Sequence, residues 1–387
     1  MKVICDRSAL QDAANLAGGV VVLRSPKPQL ACLRLTASKD DAGGGAGRLT
    51  LAGTDAEISL RLGTPQVEVQ QDGEILLPAD KLKQIVAAQD SDPTLTIETA
   101  GDQATIRGTN ARFTVYGYPG ADFPSIPDFP DEGSTSDTFS ISADLLHQLV
   151  NRTIFSTARE NSRYAINGVL LKRDAKKLTL VATDGRRLAL AKGTCDPGSN
   201  DAPGGQCIVP TKALSLVLKL LPTAADTVRV AITDNQIMFA FGEAGDVSAA
   251  VLTSNLVEGT FPPYEDVLPK DQDKRATLTV TELASAVRRA ALLTNEESRG
   301  VRMAFAGDSG LKLSSRAPEM GEAEIEVPVK KYEGDDIEVG FNPAFITEAL
   351  KVVDDDEVIF ELKAGNKPGL MKSGNDFLYV VMPVNLQ

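Results

Sequence analysis

At 387 residues, the chain is too long for one core, and at roughly 100–200 residues per domain it reads as two to four. It is 42% hydrophobic and 24% charged, as soluble globular proteins are; no apolar run nears the ~20 residues of a membrane helix, and no signal-type apolar segment precedes the first strand, so a cytoplasmic protein is expected. A net charge of −13 opposes binding to phosphates, so any nucleic-acid role requires positive charge concentrated somewhere on the fold.

The first third opens with a short strand and a helix over 8–17, with Ser8 as N-cap, Leu10, Ala13, Ala14 and Ala17 on one face, and Gly18-Gly19 as the stop. Strands follow over 30–37, 48–53, 56–62 and 66–70. The glycine-rich 42–47 between the first two is a hairpin tip, since it lacks the Gly-Lys-Ser/Thr ending of a phosphate loop and precedes no helix. Residues 74–78 lead into a helix over 79–89 with Leu82, Ile85 and Val86 inward. Strands over 94–99, 104–108 and 112–116 complete the unit, and a Pro/Asp-rich exit spans 122–130.

The middle third repeats this order. A helix over 142–159 carries Leu145, Leu146, Leu149, Val150, Ile154 and Phe155 at helical spacing, and strands span 166–172, 177–182 and 187–191. Cys207-Ile208-Val209-Pro210 launches a helix over 211–221, and further strands lead to a second Pro-rich exit over 261–269. The last third has helices over 281–294 and 343–353, with strands over 300–306, 310–315, 322–328, 357–363, 368–372 and 377–382.

The chain is therefore three copies of one unit of roughly 130 residues, over 1–130, 137–266 and 275–387. Two helices per unit against many strands make an α+β fold, the helices on one face of an antiparallel sheet. The six helical segments sum to +4, leaving −17 for everything else, so the helices are the basic part of an acidic protein.

The stretch Val181-Ala182-Thr183-Asp184-Gly185-Arg186-Arg187-Leu188 places a tight-turn composition between strands, with two arginines beside apolar residues. Its first part is echoed one repeat earlier: Leu49-Thr50-Leu51-Ala52-Gly53-Thr54-Asp55 matches Leu178 to Asp184. Catalytic chemistry finds little support. The single histidine, His147, lies mid-helix, which leaves no Ser-His-Asp arrangement and no histidine metal site; Asp354-Asp355-Asp356 reads as a solvated turn. Cys5, Cys32, Cys195 and Cys207 lack metal-knuckle spacing and read as thiols, although Cys195 and Cys207 flank one Gly/Pro loop.

With these pieces in view, the chain resembles the bacterial sliding clamp, the β subunit of DNA polymerase III, over essentially its whole length. The resemblance rests jointly on the Thr-Asp-Gly stretch, Arg163-Tyr164-Ala165-Ile166-Asn167-Gly168, Gly259-Thr260-Phe261-Pro262-Pro263-Tyr264, Arg299-Gly300-Val301-Arg302 and Tyr379-Val380-Val381-Met382-Pro383. It implies three DNA-clamp domains, a head-to-tail dimeric ring with helices lining the hole, and a non-catalytic processivity factor without cofactor or metal. Implied partners are duplex DNA, the replicative polymerase, the clamp loader, and other clamp-motif proteins such as repair polymerases, ligase and mismatch repair proteins. A peptide pocket is implied at Ile166, Thr183, Gly185, Arg186, Arg187, Leu188, Pro262, Val267, Val380, Met382, Pro383, Val384 and Leu386; on the residues alone, Ile166, Leu188 and Val380 read as core strand positions. DNA contacts are implied at Arg24, Lys27, Lys81, Lys83, Arg152, Arg159, Lys212, Lys219, Arg288, Arg289 and Lys351, and dimer contacts at Phe113, Val115, Leu292 and Leu293. Asp266 and Asn385 stand where relatives often carry basic residues. The rival reading of the −13 charge is a peptide-binding ring or scaffold that does not encircle DNA.

Overall fold

The computed structural model describes residues 1–39, 47–130, 137–159, 163–197, 204–223, 226–242, 249–294, 300–307, 310–318 and 320–385. Among them lie six α-helices: α1 (Arg7–Gly18), α2 (Ala79–Ala88), α3 (Ala143–Ile154), α4 (Thr211–Leu220), α5 (Val280–Ala290) and α6 (Pro343–Leu350). None is long and apolar enough to cross a membrane. The tip expected over 42–47 lies outside the described residues except Gly47, and much of the 196–206 loop lies outside them too.

Two helix ends differ from the sequence reading for local reasons. The cap of α1 is Asp6, not Ser8: the helix starts as soon as the first strand ends, and the Asp6 carboxylate accepts the Ala9 amide at 2.8 Å. Helix α3 stops at Ile154 rather than 159. Ser156 and Thr157 turn back onto Thr153 and Ile154, and the Ala158 amide donates to the Ile166 carbonyl at 2.9 Å, so the ladder cannot continue. Helix α6 starts at Pro343 as expected, with Asn342 accepting the Ala344 amide at 2.9 Å, but it ends at Leu350 rather than 353.

The chain packs into two compact units, and the middle third contributes to both. The first comprises Met1–Asp144, Cys195–Ala202 and Lys212–Leu256. It holds a five-stranded sheet in the order Val67–Gln71, Lys2–Asp6, Thr94–Ala100, Gln103–Arg107, Arg112–Tyr116. It also holds an eight-stranded sheet in the order Asp137–Ser142, Thr227–Ile232, Gln236–Phe241, Ala250–Asn255, Ile58–Thr64, Gly47–Thr54, Cys32–Lys39, Gly73–Pro78. Ala250–Asn255 and Ile58–Thr64 come from different sequence repeats, and their ladder carries the sheet across the seam. The inward positions of its strands, with Leu33, Leu35, Leu49, Leu51 and Leu60, are fully buried, each stabilising by about 1.5–3 kcal/mol.

The second unit comprises Leu145–Thr194, Pro203–Thr211 and Val257–Gln387. Its nine-stranded sheet runs Gln206–Pro210, Gly168–Asp174, Lys177–Thr183, Arg187–Thr194, Phe377–Val381, Gly369–Ser373, Glu357–Leu362, Lys274–Thr279, Lys331–Glu333. Here the seam ladder joins Arg187–Thr194 to Phe377–Val381. A four-stranded sheet runs Gly321–Val327, Gly310–Ala317, Val301–Ala306, Ile337–Phe341. Every pairing between neighbouring strands is antiparallel, as expected of an α+β fold built from hairpins.

Candidate functional site

The Thr-Asp-Gly stretch closes the hairpin between Lys177–Thr183 and Arg187–Thr194. The Thr183 hydroxyl donates to the Arg187 carbonyl at 2.7 Å and accepts the Gly185 amide at 3.1 Å. The Asp184 carboxylate accepts the amides of Arg186 and Arg187 at 2.9 and 3.1 Å. Gly185 has φ +84°, and its missing Cβ meets nothing within 4 Å, so glycine serves this turn by easing a left-handed backbone and not by allowing a close approach.

The echo of this motif in the first unit repeats the same bonds. Thr54 donates to the Ile58 carbonyl at 2.9 Å and accepts the Ala56 amide at 3.0 Å. Asp55 accepts the amides of Glu57 and Ile58 at 3.0 and 2.7 Å. Ala56 takes φ +79° where Gly185 takes +84°. Past each turn the next strand docks alike: Asn255 N–H on Glu57 O, and Met382 N–H on Arg186 O, both at 2.9 Å.

Beside the second hairpin lies an apolar cluster whose members are cross-strand partners. Ile208, Leu170, Val181, Leu190 and Leu378 form one row across five strands, and Leu188, Val380 and Leu370 form a second. Directly opposed antiparallel residues share a sheet face, so the register alone gathers them. Val257 and, from the Pro-rich segment, Phe261, Tyr264 and Leu268 pack on the cluster, with Phe261 and Tyr264 edge to face at 6.4 Å. Burial raises the Tyr264 phenol, against the pull of Lys172, which pairs with Glu265 at 3.5 Å.

The predicted pocket residues take different stations around this cluster. Leu188 and Val380 are buried strand members of the cluster, whereas Ile166 is buried just ahead of the strand Gly168–Asp174, where its neighbour Ala165 is the cluster member. The other predicted apolar positions are more accessible: Val267 is 46% and Met382 41% exposed, and Pro262, Pro383 and Val384 are half-buried. Val384 N–H docks on Gly340 O at 2.8 Å, which fixes the tail; Leu386 lies outside the described residues. The two arginines separate. Arg186 is exposed, whereas Arg187 is a rivet and not an open recognition group. Its guanidinium pairs with Asp184 at 3.0 Å and with Glu348, donates to Phe155 O at 2.8 Å, and lies 4.4 Å from the Phe345 ring centre. Leu170, Val181, Leu190, Ile208, Leu370 and Leu378 belong to the cluster without a motif that points to it; strand alternation marks them as inward, but only register tells which inward residues meet.

The predicted phosphate contacts divide likewise. Arg24, Lys27, Lys81, Arg159, Lys219, Arg288, Arg289 and Lys351 are exposed. Lys83 is half-buried along Gly18, and Lys212 pairs with Asp55 and donates to Val20 O at 3.3 Å. Arg152 is a correction. It is 3% exposed, paired with Asp354 at 3.4 Å and Asp376 at 3.2 Å, and stacked near Phe377, so it anchors α3 and cannot reach a phosphate. These pairs also account for the aspartate run: Asp354 serves Arg152, and Asp355 accepts from Ser373. His147 is exposed, and all four cysteines are buried.

Three family models match the chain in succession: the N-terminal domain of the DNA polymerase III beta subunit over residues 1–127, its central domain over 140–263, and its C-terminal domain over 265–385. The Beta sliding clamp of Pseudomonas aeruginosa PAO1 is 34% identical over 388 residues, covering 100% of both chains. Among solved structures, a DnaN sliding clamp from Pseudomonas aeruginosa bound to griselimycin is similar at 32% identity and a TM-score of 0.87, with full coverage of both chains. The DNA polymerase sliding clamp of Bacillus subtilis is similar at 25% identity and 0.89, again with full coverage of both.

Proposed function

The chain belongs to the bacterial DNA polymerase III β-subunit family of sliding clamps, non-catalytic processivity factors, and from that premise we propose that two copies close head to tail around duplex DNA. The observation that carries this reading is the succession of three β-subunit domain models along the chain from residue 1 to residue 385. The repeats, taken as 1–130, 137–266 and 275–387, would each supply two helices to the DNA-facing surface. Lys81, Lys219, Arg288, Arg289 and Lys351, with Arg24 and Lys27 on the loop after α1, contact phosphates and so read no sequence. Lys83, half-buried, and Lys212, paired with Asp55, join them less directly, and exposed Arg159 joins them from the segment after α3.

Closure between copies is supported by two strands that end their sheets among the described residues and differ in character. Arg112–Tyr116 ends the five-stranded sheet, carrying Arg112 and a Tyr116 that is 73% exposed. Gly321–Val327 ends the four-stranded sheet, carrying Glu322, Glu324 and Glu326 beside Leu292, which is 72% exposed. An exposed edge is a template for another strand. Phe113 and Val115 of one copy then face Leu292 and Leu293 of the other.

The cluster in the second unit takes an extended peptide with Gln and hydrophobic anchors from polymerase, clamp loader and repair proteins. Val267 and Met382 supply the adaptable rim, Arg186 faces the peptide, and exposed Asp266 and Asn385 bias preference away from acidic flanks. The test is retention on nicked circular plasmid through a high-salt wash, with the cognate loader and ATP. Retention that survives salt and disappears on linearising the DNA is expected, because purely electrostatic binding is lost to salt. No retention with an active loader would leave a peptide-binding scaffold in its place.

A further inference from the structure

The equivalence of the two Thr-Asp turns puts the two seam sheets in register with each other. In the second unit the row is Ile208, Leu170, Val181, Leu190, Leu378, Lys372, Ile359. In the first unit the corresponding row is Leu76, Arg34, Ala52, Arg61, Val251, Ala240, Arg229. Three apolar positions, Leu170, Leu190 and Ile359, are thus arginines in the first unit. At about 4.8 Å per strand the arginines span roughly 24 Å of one sheet face.

The chain lies over this row itself. Tyr118 and Leu76 exchange backbone hydrogen bonds at 3.0 Å, and Phe123 and Ile126 are buried against Cys32, Ala52 and Leu76. The Arg34 guanidinium is 5.0 Å from the Phe123 ring centre, Asp128 pairs with Arg61 at 2.6 Å, and Arg229 is 4.9 Å from the Phe129 ring centre. Each arginine therefore meets one side chain of a single extended, proline-rich segment. In the second unit the acidic side chain after the aromatic pair goes elsewhere: Glu265 pairs with Lys172, on the strand that carries Leu170.

We propose that residues 118–130 are a built-in strap occupying a second, cationic peptide groove, and that a peptide of the same character, an Asp-Phe pair in extended proline-rich chain, docks on the Arg34–Arg61–Arg229 row when the strap lifts. The proposal rests on the reading of the second unit's cluster as a peptide groove only for the analogy. The recognition chemistry is its own: a carboxylate on Arg61 and aromatic faces on Arg34 and Arg229.

The test uses the full chain and a fluorescent nonapeptide of residues 122–130, followed by anisotropy. The double variant Asp128→Ala, Phe129→Ala lifts the distal half of the strap and leaves Phe123 and Ile126 in place. It is expected to bind the nonapeptide at least tenfold more tightly than the unsubstituted protein. The gain is lost when the peptide's Asp at position 128 becomes Asn, or when Arg61→Ala and Arg229→Ala are added. Equal affinity for both proteins, or a gain indifferent to the arginines, overturns the proposal. Hydrogen exchange gives an independent reading on a milder variant: Arg229→Ala should speed exchange over 125–129 without altering the strand Thr227–Ile232, and unchanged exchange there also overturns it. A Gln-plus-hydrophobic peptide titrated in parallel reports on the second unit alone, so its failure to bind would sink that reading and not this one.

Discussion

At the scale of single residues, the Thr-Asp turn offers a controlled comparison, because the first unit performs with alanine what the second performs with glycine. A left-handed non-glycine residue is strained by about 1–2 kcal/mol, part of which glycine returns as unfolded-state entropy. Ala56→Gly should therefore stabilise by about 0.5 kcal/mol, and Gly185→Ala should destabilise by a similar amount, in urea denaturation. The neighbouring arginines should diverge more strongly. Arg187→Ala removes a nearly buried guanidinium from Asp184, Glu348 and two rings, and should cost roughly 2 kcal/mol, less than a fully buried pair because Glu348 remains solvated. Arg186→Ala should change stability by no more than about 0.5 kcal/mol while weakening the partner peptide. The doublet was legible in the sequence, but its division of labour was not, because Glu348 and Phe155 lie far away along the chain. Burial pushes the thiols of Cys5 and Cys32 up to about 12 and about 11, so neither should react with a thiol reagent at pH 8 until the protein is unfolded. Hydrogen bonds from Lys274 and Lys363 hold the Asp273 carboxyl down at about 2. A depressed carboxylate contributes stability above its unfolded value of 3.8 and loses it as pH falls toward 2. Asp273→Asn should flatten that part of the acid limb.

Among elements, helices and strands were readable because each carries its own period, 3.6 or 2, within a few residues. The ends were less readable. The apolar pattern runs on to Phe155, yet α3 ends where the Ala158 amide finds the Ile166 carbonyl, a bond to another segment. Arg152 shows the same limit: by periodicity it is a helical cation like any other, and only its neighbours make it an anchor. Arg152→Ala should cost about 2 kcal/mol, mostly through lost packing over Phe377, since Asp354 and Asp376 stay largely solvated. It should leave the salt dependence of DNA binding untouched.

For the whole molecule, an acidic chain that works on DNA must place its exposed cations where they count. Each phosphate contact contributes about 0.9 to the slope of log affinity against log salt. Replacing Arg288 and Arg289 with alanine should thus lower the slope by nearly 2 for duplex binding, whereas the Arg152 variant should match the parent.

By itself the sequence determined the three-fold repeat, the α+β class, the turn that opens each seam and the family, since these are carried by local periodicity and contiguous motifs. The tertiary structure decided which cations are free, which apolar residues share a row, and that one seam is apolar while its counterpart is lined with arginine under the chain's own linker. Those outcomes depend on strand register between segments more than a hundred residues apart, such as Arg61 with Val251 and Leu190 with Leu378, and no local pattern encodes which distant strand becomes a neighbour.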